Sequence, residues 1–229
     1  MTTEWTQPSV CRDFVEWHLG RQPYVFWALD VDTPAVAEQV ARYACLLGDS
    51  LLAGYQRQPH VTLDVCGFPT YQPRRDDEFG HELLATQLAA LQAAGPPAFS
   101  IEIGDPDSFL SAPYLAVADL EGGIAALRRC LAINGEHRLF GDYVPHVTIG
   151  LYAQTRPFMQ VREQLLAGRM GQGLVFPVER LSLMSYAPTE IGGRLQLLAD
   201  YCLGTGDWRW HEAAGADGLG FLIPAGEGG

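Results

Sequence analysis

Two hydrophobic periods run through the chain, one of about two residues and one of three to four, and they divide it into strands and helices. The aromatic-rich run 24–29 predicts a strand. Thr33 followed by Pro34 predicts a helix start, because a hydroxyl caps the first turn and proline sits well in it. Val36, Val40, Tyr43 or Ala44, and Leu47 carry that helix to Gly48 and Asp49. A strand begins at His60, placing Val61, Leu63 and Val65 on one face and His60, Thr62, Asp64 and Cys66 on the other. The polar stretch 69–77 predicts an exposed loop. Phe79, Leu83, Leu84, Leu88 and Leu91 predict a second helix, stopped by Gly95, Pro96 and Pro97. A strand over 99–103 and a turn over 104–108 follow.

From Tyr114 the order begins again. A strand over 114–117 leads to a helix marked by Ile124, Leu127 and Leu131 and closed by Asn134 and Gly135. The next strand turns Val147, Ile149 and Leu151 away from His146, Thr148, Gly150 and Tyr152. A helix with Phe158, Val161 and Leu165 follows, then strand candidates over 175–185 and 195–202. A strand–helix–strand–helix–strand unit thus occurs twice, which predicts an internal duplication. The expected fold class is α+β: a bilobal duplicated fold, two antiparallel sheets with outer helices flanking a central cleft. Residues 1–23 read as an N-terminal extension whose Trp5, Phe14, Val15, Trp17 and Leu19 pack on the body, with His18 in a surface or structural role. The bilobal domain covers 24–203. A Gly-rich acidic tail covers 204–229, with Trp208, Trp210, Phe221 and Ile223 as anchors.

Composition narrows the function more than the fold. Five scattered cysteines without a CxxC pair suit reduced thiols in a cytoplasm. The polar N-terminus lacks a basic region, so no secretory signal is expected, and no apolar run is long enough for a membrane span. The net charge is −12, which disfavours a long polyanion and favours a small ligand. All fifteen basic residues are arginine. That excludes Schiff-base lysine chemistry, a lysyl-adenylate of the ATP-dependent ligase type and a phosphate-loop lysine.

The candidate chemistry lies in a repeated string, Pro-His-Val-Thr, at 59–62 and 145–148. One such histidine is most often a structural strand residue. Two at equivalent places in a duplicated unit point to a shared site. Cleaving a phosphodiester takes a base to activate the nucleophile and an acid to protonate the leaving oxygen. Imidazole serves as either near neutral pH. Thr62 and Thr148 hydroxyls can donate to the non-bridging oxygens as charge gathers there.

These two H-x-T strings resemble the two-histidine (2H) phosphoesterase superfamily, which includes the RNA 2′,3′-cyclic phosphodiesterases, also called 2′–5′ RNA ligase-like proteins. The resemblance spans about residues 24–203. It implies metal-independent chemistry on cyclic phosphates or 2′–5′ linkages, with His60, Thr62, His146 and Thr148 at the catalytic positions. It also implies His146 as base and His60 as acid. The expected activity is hydrolysis of 2′,3′-cyclic phosphates to 2′-phosphates, on a small nucleotide or short RNA end, by a monomer needing no cofactor. A 2′–5′ oligonucleotide phosphodiesterase, a 3′–5′ exonuclease and a non-catalytic nucleotide or RNA-end binder are the alternatives. A metal enzyme built on His60, Asp64 and His146 is the most distant one.

Further substrate-binding candidates follow from position. Tyr152 either stacks on a base or sugar or packs in the core. Ser185 and Tyr186 end a predicted strand and either line the cleft or merely finish it. Arg57, Arg156 and Arg194 either meet a substrate phosphate or lie free on the surface. His81-Glu82 begins like a zincin motif, but Ala85 stands where the second histidine belongs.

Overall fold

The computed structural model describes residues 4–132, 142–169, 171–212 and 219–222. A short helix α1 (Val15–His18) precedes β1 (Tyr24–Asp30), α2 (Pro34–Leu47) and β2 (His60–Pro69). Then come β3 (Glu78–Phe79), α3 (His81–Ala94), β4 (Phe99–Ser108) and β5 (Pro113–Asp119). The second half continues with α4 (Gly123–Leu131), β6 (His146–Thr148), α5 (Phe158–Ala167), β7 (Leu174–Val178), β8 (Arg180–Tyr186), β9 (Gln196–Cys202) and β10 (Trp208–Trp210). The helix stop at Asn134–Gly135 and the anchor Ile223 lie outside the described residues.

Local rules account for most of these boundaries. Thr33 Oγ1 accepts from the Val36 amide at 3.5 Å, with Pro34 in the first turn of α2. The α3 helix ends at Gly95 in the left-handed conformation, its amide reaching the Leu91 carbonyl at 2.9 Å.

Strands are ordered β10-β9-β8-β1-β2-β3 in one sheet and β6-β5-β4-β7 in the other. Pairing is antiparallel throughout except for the short parallel β2–β3 contact. The protein is therefore a bilobal α+β fold with two largely antiparallel sheets. By position, β1, β2, β8 and β9 in one lobe correspond to β5, β6, β4 and β7 in the other. The lobes are consequently not consecutive halves of the chain: β4 crosses into the second sheet, and β8 crosses back into the first. Helices pack on the sheet faces away from the histidines, and one continuous core takes Trp27, Leu63, Leu84 and Leu127 together with Ile101, Val147 and Val161. Within it, Trp27 donates to Gln87 and Gln87 to the Leu131 carbonyl, both at 2.8 Å, so these two buried side chains satisfy each other.

Four expectations change. Residues 104–108 continue β4 through an irregularity between Ile103 and Pro106 instead of turning. The single strand expected over 175–185 is two strands in different sheets, parted at Glu179. The sheet also extends beyond Leu203, because β10 pairs with β9 and sets Trp208 against Trp27, 5.7 Å between centroids. Finally, two bulges break the alternation of β2: Trp27 faces Asp64 and Ala28 faces Thr62, then Phe26 faces Val65 and Val25 faces Gly67. Val65 thereby joins the His60 face, Cys66 joins the core, and Asp64 falls opposite the core residue Trp27.

Candidate active site

The two Pro-His-Val-Thr strings form near-identical local structures. Proline lacks an amide hydrogen and confines its predecessor to extended backbone, so each ladder starts at the histidine. The Pro59 carbonyl accepts from Val31 at 3.3 Å and the Pro145 carbonyl from Val117 at 3.1 Å. Each imidazole then turns back on the chain. His60 Nδ1 donates to the Gln58 carbonyl and His146 Nδ1 to the Val144 carbonyl, both at 2.7 Å. A carbonyl only accepts, so Nδ1 carries the proton in both rings and Nε2 holds the lone pair. Among the described residues, Nε2 of neither ring has a hydrogen-bond partner.

The strands meet at the seam between the lobes, where β2 lies beside β6. Tyr143, three residues before His146, donates from Oη to the Thr62 carbonyl at 2.9 Å. Arg128 bonds the Leu63 carbonyl and lies 3.6 Å over the Tyr143 ring. Register places Thr62 opposite Ala28 and Thr148 opposite Tyr114, each on its histidine's face.

Aromatic walls hold both imidazoles. His60 packs 5.6 Å from Phe26, which is 6.0 Å from Tyr186. His146 stands edge-on to Phe109 at 5.0 Å and Tyr114 at 5.4 Å, two rings stacked 4.3 Å apart. Burial holds His60 down at about 4 against the Gln58 hydrogen bond, with the charges of Arg57 and His146 pushing the same way as burial. His60 therefore lies within electrostatic reach of His146. Burial also lowers the pKa of His146, against its bond to Val144. Burial thus favours the neutral form of both rings in the unliganded protein.

Of the further candidates, Arg57 and Tyr186 come together beside His60, the guanidinium 4.1 Å over the phenol ring. Arg194 lies exposed on the β8–β9 turn near them. Tyr152 and Arg156 are placed elsewhere, and Ser185, though buried, lines with Tyr186 a cavity beside the segment leading to His60. The β6 strand ends at Thr148, and Tyr152 is fully buried, its hydroxyl 2.6 Å from Ser108 Oγ. Ser185 is 1% exposed and opposite the core residue Val25. Arg156 is taken up by Ser50 at 2.8 Å and Gln164 at 3.1 Å, bonds that fix the connection into α5. The His60–Asp64–His146 metal set is not assembled, since Asp64 faces the other way. Among the described residues no three His, Cys, Asp or Glu side chains gather as a metal-ligand cluster.

Phe26, Phe109, Tyr114 and Tyr143 escaped the sequence reading, as did the carbonyls of Gln58 and Val144. Only the carbonyls had a signal: the shared proline dictates an extended residue before it.

A helix long and apolar enough to cross a membrane is absent among the described residues. The fold and its paired H-x-T strands are those of the two-histidine phosphoesterase superfamily. The family model described as the 2′-5′ RNA ligase superfamily matches residues 32–190, more than half of the chain, and the chain belongs to that superfamily. A comparison with curated proteins finds no match. Among solved structures, the chain is similar to E. coli LigT in apo form, at 18% identity over 80% of this chain and 99% of that one, with a TM-score of 0.49. TT0787 of Thermus thermophilus is 14% identical over 79% and 98%, with a TM-score of 0.48.

Proposed function

We propose that the protein hydrolyses 2′,3′-cyclic phosphates, on a small nucleotide or a short RNA end, to 2′-phosphates without a metal ion. The observation that carries this reading is the matched pair of imidazoles, each with Nδ1 bound to a backbone carbonyl two residues upstream. That arrangement leaves two Nε2 atoms for proton transfer, one from each lobe. In-line opening of the ring requires such a pair: one Nε2 takes a proton from the attacking water, and the P–O3′ bond breaks as the other protonates O3′. The product carries the phosphate on O2′, and the two histidines have exchanged protonation states. Thr62 and Thr148 hydroxyls donate to the non-bridging oxygens, and Arg57 adds charge beside His60.

Burial supports an assignment of the two roles. The singly protonated site holds its proton on the more basic ring, and His60 is the more deeply buried and also feels the charges of Arg57 and His146, which lower it as burial does. His146 is then the acid and His60 the base, the reverse of the assignment implied by family resemblance. The net charge of −12 supports a short ligand over a long one.

The test is hydrolysis of nucleoside 2′,3′-cyclic phosphates in excess chelator, with the product regioisomer read by phosphorus NMR. We expect 2′-phosphate, and losses of about 10²–10⁴-fold for His60→Ala and His146→Ala, the usual range for acid–base groups. A substrate with sulfur at the 3′ bridging position has a leaving group that needs no acid. It should rescue His146→Ala and not His60→Ala. Rescue of His60→Ala alone reverses the roles, and full activity in either variant sinks the mechanism.

A further inference from the structure

Two open cavities flank the segment leading to His60. One, of about 600 Å3, lies between this segment and α2 and is lined by Arg57, Arg194, Tyr55 and Gln58, with Asp32 and Asp49 also on its wall. The other, of about 560 Å3, is lined by Tyr186, Gln22, Gln196 and Glu190. They adjoin at Gln56 and Arg194, which line both. A small third cavity of about 90 Å3 continues from Gln58 and Pro59 to His60 itself.

The wall bearing Arg194 is fastened to the histidine strand. Gln56 donates its amide to the Gly192 carbonyl at 2.8 Å. The Gln58 side chain donates to the Leu195 carbonyl at 3.1 Å and accepts the Leu195 amide at 2.9 Å. Gly192 has φ +74°, and a Cβ there would lie 2.8 Å from the Tyr55 ring, so only glycine lets the turn sit this close. The same Gln58 orients His60 through its backbone carbonyl. The backbone that carries Arg194 is thus fixed relative to the reacting centre.

Among the described residues neither Arg57 nor Arg194 has a carboxylate at ion-pair distance, and of the two Arg57 is the partly buried one. Arg57 Nε is buried without an acceptor among the described residues. A buried Nε–H without an acceptor is costly, and an anion would complete it, although Tyr186 already lies against the same guanidinium.

We propose that Arg57 and Arg194 form a subsite for a second, non-scissile phosphate, so that preferred substrates are cyclic phosphates carrying a further phosphate. This rests on the phosphodiesterase reading above. Asp32 and Asp49 suit the hydroxyls of the sugar that carries the groups, since an ionised carboxylate only accepts hydrogen bonds.

The experiment compares kcat/KM for adenosine 2′,3′-cyclic phosphate with and without a 5′-phosphate, in the wild type, Arg57→Gln, Arg194→Gln and the double variant. A 5′-phosphate should raise kcat/KM about tenfold or more in the wild type, what about 1.4 kcal/mol of added binding gives. That ratio should fall toward one in the double variant and partly return in Arg194→Lys. A wild-type ratio near one, or a ratio retained in the double variant, overturns the subsite. If neither compound is turned over, the phosphodiesterase reading fails, and calorimetric titration of the full chain with pyrophosphate decides the subsite alone. Binding lost in Arg194→Gln but kept in His146→Ala supports it; equal binding in the wild type and the double variant overturns it.

Discussion

At the scale of single residues, the two histidines answer the same backbone demand but not the same environment. His60 lies against Phe26 with Arg57 nearby, and burial holds it at about 4. His146, half-buried between Phe109 and Tyr114, is lowered by the same cause. The pH profile of kcat/KM reports the free enzyme, and its bell peaks where one ring is protonated and the other is not. Its maximum should fall below pH 6.5, with the acid limb near pH 4 and the whole profile moving upward in kcat as bound phosphate favours both imidazolium forms. Arg57→Gln should shift the acid limb to higher pH. A kcat/KM maximum above pH 7 contradicts this. Stability carries the same signature. Because the folded pKa of His60 lies below its unfolded value, the unfolded chain binds the extra proton. The contribution of His60 is therefore complete above about pH 6.5 and lost as pH falls toward 4. The difference is roughly 3 kcal/mol, and denaturant titrations of His60→Gln should lack that part of the acid loss.

At the scale of elements, the decisive features are short and local, and some of them were legible. The repeated string, the capped start of α2 and the glycine stop of α3 rest on side-chain and φ preferences that act within a few residues. The bulges of β2 do not: nothing in Leu63-Asp64-Val65-Cys66 marks where an extra residue slips in, because the partner strand decides it. That is why Cys66 and Val65 exchange faces. Tyr152 leaves the face of His146 for a related reason, since β6 stops after three residues and the following chain leaves the sheet. Tyr143 carried no signal because its partner, the Thr62 carbonyl, lies 81 positions away in sequence. Yet it ties the two H-x-T strands directly. Loss of the bond in Tyr143→Phe should cost about 1 kcal/mol of stability. Loosening the strand register should lower kcat about tenfold with KM changing less than twofold, since small misplacements weigh heavily on reacting geometry. A stability loss with kcat intact would make Tyr143 merely structural.

At the scale of the molecule, the strand exchange dictates how the protein comes apart. The first sheet is completed by β8 and β9 from late in the chain, and the second takes β4 from the earlier half. Neither lobe can close its sheet from consecutive sequence, and the core runs unbroken from Trp27 and Leu63 to Ile101 and Val147. The N-terminal segment adds a second tie. Thr6 donates to the Arg156 carbonyl at 2.9 Å and Ser9 to the Tyr152 carbonyl at 2.7 Å, both in the second lobe. Further on, Trp17 packs on Tyr24 and Phe68 at 5.1 and 5.3 Å, and Arg21 pairs with Asp77 at 2.7 Å, all in the first lobe. An independent two-domain protein of this size would melt in two steps. Here the expectation is one calorimetric transition whose van't Hoff enthalpy matches the measured enthalpy, on the order of 150 kcal/mol near 60 °C at about 0.7 kcal/mol per residue. Two overlapping transitions, each with roughly half that van't Hoff enthalpy, would show that the lobes fold separately. The two histidines would then owe their meeting to docking, not to the shared core.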